Sequence, residues 1–461
     1  MKKIVTLFAF ILIISITKKS AAQLINFEGK DYLINGLNIP WNMFSRDFGT
    51  NPLFGANQYD SSAFENILTQ CESYGVNCVR IWIHNDGSAS PEIDTTTGYV
   101  IGLDSDFFPN MDDFLNRALK HKIMVIPSIW DFSMTNNDYA LGPNGGMHAD
   151  IIQDTAKTNS YINNALIPMV QRYANQCNLL AWEIINEPEW SMNVQFGGTM
   201  TQVVNASEMQ RFVGMIAEAI HQNSTKMVTV GSASLRYNSD KFDITTPCLG
   251  NYWKDQAIQS AYNKPLAHLD FYQIHYYDWM NGLINFDPYK GCCPESYWLL
   301  DKPTLIGESQ GSSTKHSTTD QLYNSFVGNY AGVLFWSYTA GADSMGSFTD
   351  FNDELLAFRN TGPGIIDFDS ASCNPINTRV DQSLKENLIT VYPNPVENTV
   401  NITGIAGITT LYFYDVVGKL ILEKEVANNT ELDISRLPNG IYMLFAETCT
   451  GRLFNKVIIS R

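Results

Sequence analysis

Trp182-Glu183-Ile184-Ile185-Asn186-Glu187-Pro188 is the stretch on which the reading of the fold turns. An apolar strand runs straight into Asn-Glu-Pro. Proline has no amide hydrogen to give to a sheet ladder, so pairing stops there and Glu187 is left at the strand's end. Leu305-Ile306-Gly307-Glu308-Ser309 repeats the form, an apolar strand ending in a carboxylate. Glu183 lies inside the first strand and reads as a buried, paired interior residue.

Working outward from these two runs, residues 23–365 alternate short apolar segments with helical patterns. Strands are expected at 32–38, 77–83, 123–129, 180–185, 227–231, 270–275, 303–308 and 332–337. Helical periodicity fills most of the gaps, for example 61–74, 111–120, 160–173, 207–221 and 319–330. Such alternation makes a parallel sheet with crossover helices, and the count makes it an α/β (β/α)8 TIM barrel with inserted loops. A doubly wound sheet is the alternative, but no glycine-rich phosphate fingerprint follows an early strand. Polar and aromatic residues gather at the strand ends: Arg80, Trp130-Asp131, Asn186-Glu187, His275-Tyr276-Tyr277, Glu308 and Trp336. In a barrel of this kind that rim carries chemistry, and the other mostly carries stability.

The remaining chain sets the context. Lys2 and Lys3, an apolar run over 4–17 and Ser20-Ala21-Ala22 read as a signal peptide over 1–22. The run is shorter than the ~20 residues a spanning helix needs, and no second stretch is long and apolar enough. An exported chain with no transmembrane segment is expected. A formal net charge of −17 argues against nucleic acid and anionic membrane as partners. Among the eight cysteines no zinc spacing occurs; Cys71 and Cys78 straddle a turn and are a candidate pair, with buried free thiols the alternative. A linker is expected over 366–386. From 387 to 461 short alternating runs separated by Gly, Pro and Asn turns read as a small all-β sandwich.

Two glutamates at the ends of different barrel strands are what glycosidic cleavage requires. One donates a proton to the leaving oxygen, and the other, ionised, attacks the anomeric carbon. Taken singly, each residue has a plainer reading. A strand-end Glu is commonly a solvated loop residue, Arg80 an ion-pair member, His275 a core histidine and Trp336 packing. Their joint placement at strand ends overrides those readings. Asp104-Ser105-Asp106 and Asp112-Asp113 read as a loop and a helix start, not as metal ligands. No metal and no cofactor is expected.

Over roughly residues 30–345 the chain resembles glycoside hydrolase family five, the retaining barrel enzymes of clan A. The resemblance rests on Arg80, Asn186-Glu187-Pro188, His275-Tyr276-Tyr277, Glu308 and Trp336 in this order. It implies that Glu187 is the general acid/base, Glu308 the nucleophile and Asn186 a donor to the sugar 2-hydroxyl. Arg80, His275 and Tyr277 would surround Glu308, and Trp336 would floor the subsite of the sugar being cleaved. The stretch Arg80-Ile81-Trp82-Ile83-His84-Asn85-Asp86-Gly87 is similar to the β-mannanase branch. Pro127-Ser128-Ile129-Trp130-Asp131-Phe132 lacks the histidine that cellulase members often place there. Mannan or glucomannan is therefore the expected substrate, with β-glucan as runner-up and a non-catalytic glycan-binding protein as the reading from another class. Trp41, Trp130, Trp190, Trp253 and Trp279 are candidates for further sugar contacts, some of them packing instead. At the C-terminus, Val391-Tyr392-Pro393-Asn394-Pro395, Tyr414-Asp415-Val416-Val417-Gly418-Lys419 and Leu437-Pro438-Asn439-Gly440-Ile441-Tyr442 resemble a type IX secretion sorting domain. That implies handling by the type IX machinery of a Gram-negative bacterium of the Bacteroidetes kind, and secretion or display at the outer surface. A monomer is expected.

Overall fold

The structure is a computed structural model. It describes residues 24–50, 53, 57–137, 145–242, 249–280, 286–289, 297–339, 344–361, 366–370, 373, 389–404, 408–415, 419–448 and 451–461. The expected signal peptide, most of the expected linker, and Cys248, Cys292, Cys293 and Cys449 lie outside them. The chain divides into two compact units, Met1–Ile376 and Asn377–Arg461.

Eight parallel strands close the first unit into a barrel in strict sequence order. They are β1 (Ile34–Ile39), β2 (Cys78–Asn85), β3 (Met124–Asp131), β4 (Ala181–Asn186), β5 (Met227–Ser232), β6 (Tyr272–Tyr276), β7 (Thr304–Gln310) and β8 (Gly332–Trp336). Six of the eight begin one or two residues later than the sequence pattern suggests, Met227 and Gly332 being the exceptions, and most run further at the far end. The strands are covered on one side by helices and on the other by the barrel interior, so β1, β2, β3, β4, β6 and β7 are buried along their whole length. Helix Phe107–Lys120 shows how the outer layer is built. It buries Phe107, Met111, Phe114, Leu115 and Ala118 along one face and ends with Arg117 and Lys120 in its last turn, where the helix dipole favours cations.

Two expectations need correction here. Cys71 and Cys78 are both free and buried, because Cys71 faces the core from helix Ser61–Ser73 while Cys78 opens β2. Among the described residues Cys177 is joined to Cys373. The expected linker also starts too early. Ile366 and Phe368 are buried, and Phe368 lies 6.1 Å from the Tyr32 ring, since apolar residues at alternate positions still pack against the barrel. Asp104 lies in the loop before helix Phe107–Lys120 and accepts the backbone amides of Thr50 and Asp106. Asp112, expected at a helix start, lies inside that helix because it begins at Phe107, and pairs with Arg172.

The second unit contains two antiparallel sheets. One has β9 (Thr390–Tyr392), β10 (Thr399–Thr403) and β13 (Thr430–Asp433); the other has β11 (Ile408–Tyr414), β12 (Leu420–Ala427), β14 (Gly440–Thr448) and β15 (Gly451–Ile459). Val400, Ile402 and Leu432 from the first meet Leu411, Phe413 and Leu444 from the second in one apolar core. Among the described residues no helix is long and apolar enough to cross a membrane.

Candidate active site

The site grows from one buried cation. Arg80, fully buried on β2, gives Nε and Nη2 to the two oxygens of Glu183, each at 2.5 Å, and Nη1 to Glu308 Oε1 at 2.7 Å. Its remaining bonds reach Asn38 Oδ1 at 3.0 Å and Asn186 Oδ1 at 2.6 Å. Glu183 is in turn held by Ser128 and Gln273 from the neighbouring and facing strands. The interior reading of Glu183 is therefore right, and its partner is the very arginine that holds Glu308. This cluster needs space on β5. A Cβ added to Gly231 would stand 2.5 Å from Glu183 Oε1 and 2.8 Å from Arg80 Nη2, so only glycine fits.

Above this base the two strand-end glutamates face one another. Glu308 receives Arg80 on Oε1 and the Tyr277 hydroxyl on Oε2 at 2.5 Å. Glu187 has φ 44° and ψ 49°, a left-handed conformation unusual for a residue with a side chain; its amide donates to Gly231 O at 2.6 Å and Pro188 follows. Its Oε2 accepts from Trp190 Nε1 at 2.7 Å, and its Oε1 lies 2.8 Å from His275 Nδ1. An oxygen of each glutamate and a ring nitrogen of His275 all lie within 4.8 Å of one another.

The electrostatics of the two carboxyl groups differ in origin. Burial pushes Glu187 up to about 7; the Trp190 donor works against this and the negative Asp131 adds to it. Burial also raises Glu308, while the Arg80 guanidinium and the Tyr277 hydroxyl work against that and favour its ionised form. Burial drives His275 down to about 4, so the imidazole is neutral and its Nδ1 either donates to ionised Glu187 or accepts a hydrogen bond from protonated Glu187.

A cleft of about 750 Å³ opens over this pair, and Trp41, Trp82, Trp279 and Trp336 line it. Asn186, Tyr277 and Trp336 line the cleft together with both glutamates, while Arg80 and His275 lie buried beneath it. Asn186 spends one amide hydrogen on Asp131 Oδ2 at 2.7 Å. Trp130 is a correction. Strand alternation turns Asp131 to the cleft and Trp130 outward, where it is fully buried against His84 and Tyr161, both at 5.2 Å. Trp253 is likewise buried, donating to Glu189 Oε1 at 2.7 Å. Glu189 is a residue the sequence reading passed over. It is fully buried and takes Ser232, the Ala233 amide and Trp253, tying the turn after Glu187 to the end of β5. Its signal was a second acid two residues after Glu187, in a stretch with no reason to be acidic. Asn38 was missed as well; a polar residue in an apolar strand was its only mark, and it anchors Arg80 and the Gly307 carbonyl.

The barrel and its cleft have close counterparts. The mannan endo-1,4-β-mannosidase of Mytilus edulis is 31% identical over 336 residues, 68% of this chain and 86% of the relative. The chain belongs to the mannan endo-1,4-β-mannosidase family, within glycoside hydrolase family five. Another member, from Cryptopygus antarcticus, is 27% identical over 375 residues, covering 75% of this chain and 93% of its own. Among solved structures, the endo-1,4-β-mannanase of Eisenia fetida superposes with a TM-score of 0.65 at 27% identity, over 76% of this chain and 99% of its own. Residues 390–460 match the model of the secretion system C-terminal sorting domain. The family's barrel and a sorting domain are thus joined in one chain.

Proposed function

We propose that this protein is an exported, retaining endo-β-1,4-mannanase in which Glu187 is the general acid/base and Glu308 the nucleophile. The observation that carries the reading is that one oxygen of each carboxyl group lies within 4.8 Å of an oxygen of the other. Retaining glycosidases hold their carboxyls about 5–5.5 Å apart, whereas inverting ones leave about 6.5–9.5 Å for a water between them. In the first step protonated Glu187 gives its proton to the glycosidic oxygen while Glu308 attacks the anomeric carbon. The glycosidic bond breaks, the leaving chain departs with the proton, and a glycosyl ester forms on Glu308. Glu187, now ionised, takes a proton from water, which attacks the same carbon and frees Glu308, so the configuration is retained. Arg80 and Tyr277 keep the nucleophile ionised and aimed, and the Trp336 face suits the apolar face of a pyranose.

Mannan is favoured over β-glucan by the family the chain belongs to and by the stretch after β2. The sorting-domain match at 390–460 supports passage through the type IX machinery to the outer surface or medium. Hydrolysis of mannan, glucomannan, carboxymethylcellulose and xylan by the full chain tests the reading. Mannan and glucomannan should be cleaved with retention of anomeric configuration. Activity on carboxymethylcellulose alone would select the cellulase reading, and inactivity on all four the glycan-binding one.

A further inference from the structure

On the opposite side of the barrel from the carboxylate cleft, where β6 begins, His221, His268 and Asp270 converge. His221 sits in the last turn of helix Ala206–Asn223; His268 and Asp270 lie between helix Asp255–Ala261 and β6. One ligating atom from each lies within 4.8 Å of the other two. The two imidazole rings are 4.4 Å apart and tilted by only 19°.

The hydrogen bonding assigns the ring nitrogens. His221 Nδ1 lies 2.8 Å from the Leu266 carbonyl, which can only accept, so Nδ1 carries the hydrogen. Nε2 faces Asp270 Oδ2 at 3.1 Å and donates to it in the metal-free protein; a bound ion takes the place of that proton. A histidine whose other nitrogen donates to a backbone carbonyl is the usual outer support of a metal-binding imidazole. Asp270 has its own support, since the Val228 amide donates to Oδ2 at 2.7 Å, and its Oδ1 faces His268 Nε2 at 3.9 Å. Nitrogen and oxygen ligands bound about 2.0–2.2 Å from one ion sit roughly 3–3.5 Å apart, which small side-chain rotations reach from here. The side chains keep 11%, 29% and 30% exposure, leaving a path for an ion and room for water ligands. Lys302, the cation whose field reaches His221, is already paired with Asp255 at 3.1 Å.

We propose that His221, His268 and Asp270 form a binding site for a divalent d-block cation of the Zn²⁺ type. Two imidazoles and one carboxylate without sulfur suit Zn²⁺, Cu²⁺ or Ni²⁺ better than Ca²⁺ or Mg²⁺. The bound ion ties the end of one helix to the entry of β6. Lying away from the cleft, it stabilises the barrel and takes no part in turnover.

The test is calorimetric titration of the metal-free full chain with ZnCl₂, with Tm read alongside. Wild type should take up Zn²⁺ at this site and gain a few degrees in Tm at saturation. His268→Gln, at a partly exposed position, should weaken that binding at least about tenfold and abolish the Tm gain, with its Tm in chelator unchanged. His221→Gln should do the same to binding. The trio at the cleft, Glu187, His275 and Glu308, offers a second set of donors, so inhibition by Zn²⁺ is measured in parallel. If both variants bind Zn²⁺ as wild type does, the ion sits elsewhere and the proposal falls. Absence of any Zn²⁺ uptake by the wild type would overturn it as well.

Discussion

At the centre of the barrel Arg80 and Glu183 are fully buried and Glu308 is only 3% exposed, whereas the sandwich is filled by Val400, Ile402, Leu411, Phe413 and Leu444. The sandwich interior is stabilised simply by removing apolar surface from water, about 25 cal/mol per Å². The barrel interior carries a charge cluster whose desolvation is costly and is offset only because every charge is paired and hydrogen-bonded. Apolar residues of similar volume would serve stability as well or better. What the buried cluster supplies is position, because Glu183, Asn38 and Asn186 fix the guanidinium that holds Glu308.

That contrast can be broken from the top down. Glu308→Ala should lower kcat/KM on mannan by ~10⁴-fold or more while the protein stays folded, as loss of a covalent nucleophile does. Retention of most activity would remove Glu308 from its role. Glu187→Gln should cost roughly 10²–10⁴-fold on mannan. The pH profile sharpens that assignment. Glu187, pushed up to about 7 by burial, must be protonated to act, so wild-type activity should fall as pH rises through about 7. On an aryl glycoside whose leaving group needs no proton, the Gln variant should lose this alkaline limb in the glycosylation step. Persistence of the limb there would assign it to another group.

Smaller effects distinguish the two interiors by stability. Glu183→Ala leaves Arg80 short of its main partner and should destabilise the barrel by about 3–5 kcal/mol, read by denaturant unfolding. Leu444→Ala opens a cavity in the sandwich and should cost about 2–5 kcal/mol there, with kcat on mannan unchanged. A drop in kcat would mean the second unit supports the cleft. The mildest change, Tyr277→Phe, removes one hydrogen bond to an ionised oxygen and should reduce kcat/KM by about 10–100-fold with little change in unfolding.

Much of this was readable along the chain. All eight barrel strands were marked by apolar runs, because strands covered on both faces need them, and Asn-Glu-Pro marked a carboxylate at a strand end. Glu308 was legible only with its neighbours counted. Trp130 was misplaced because adjacent strand residues face opposite ways, and one residue of phase decides between cleft and core. Cys177 and Cys373 could not be paired, since their separation of 196 residues leaves no local trace. Ile366 and Phe368 looked like linker because so short an apolar pattern gives no hint of the surface that receives it.

The sequence by itself determined the barrel, the order of its strands and the residues that stand at their ends, because periodicity and chain-breaking residues act locally. Only the tertiary structure decided that an oxygen of Glu187 and one of Glu308 lie within 4.8 Å, that Arg80 joins Glu183 to Glu308, and that two histidines meet Asp270 on the far side. Those relations depend on closing the sheet, which sets side chains from distant segments facing one another. Burial at that closed centre then supplies the electrostatics that lift the proton affinity of Glu187.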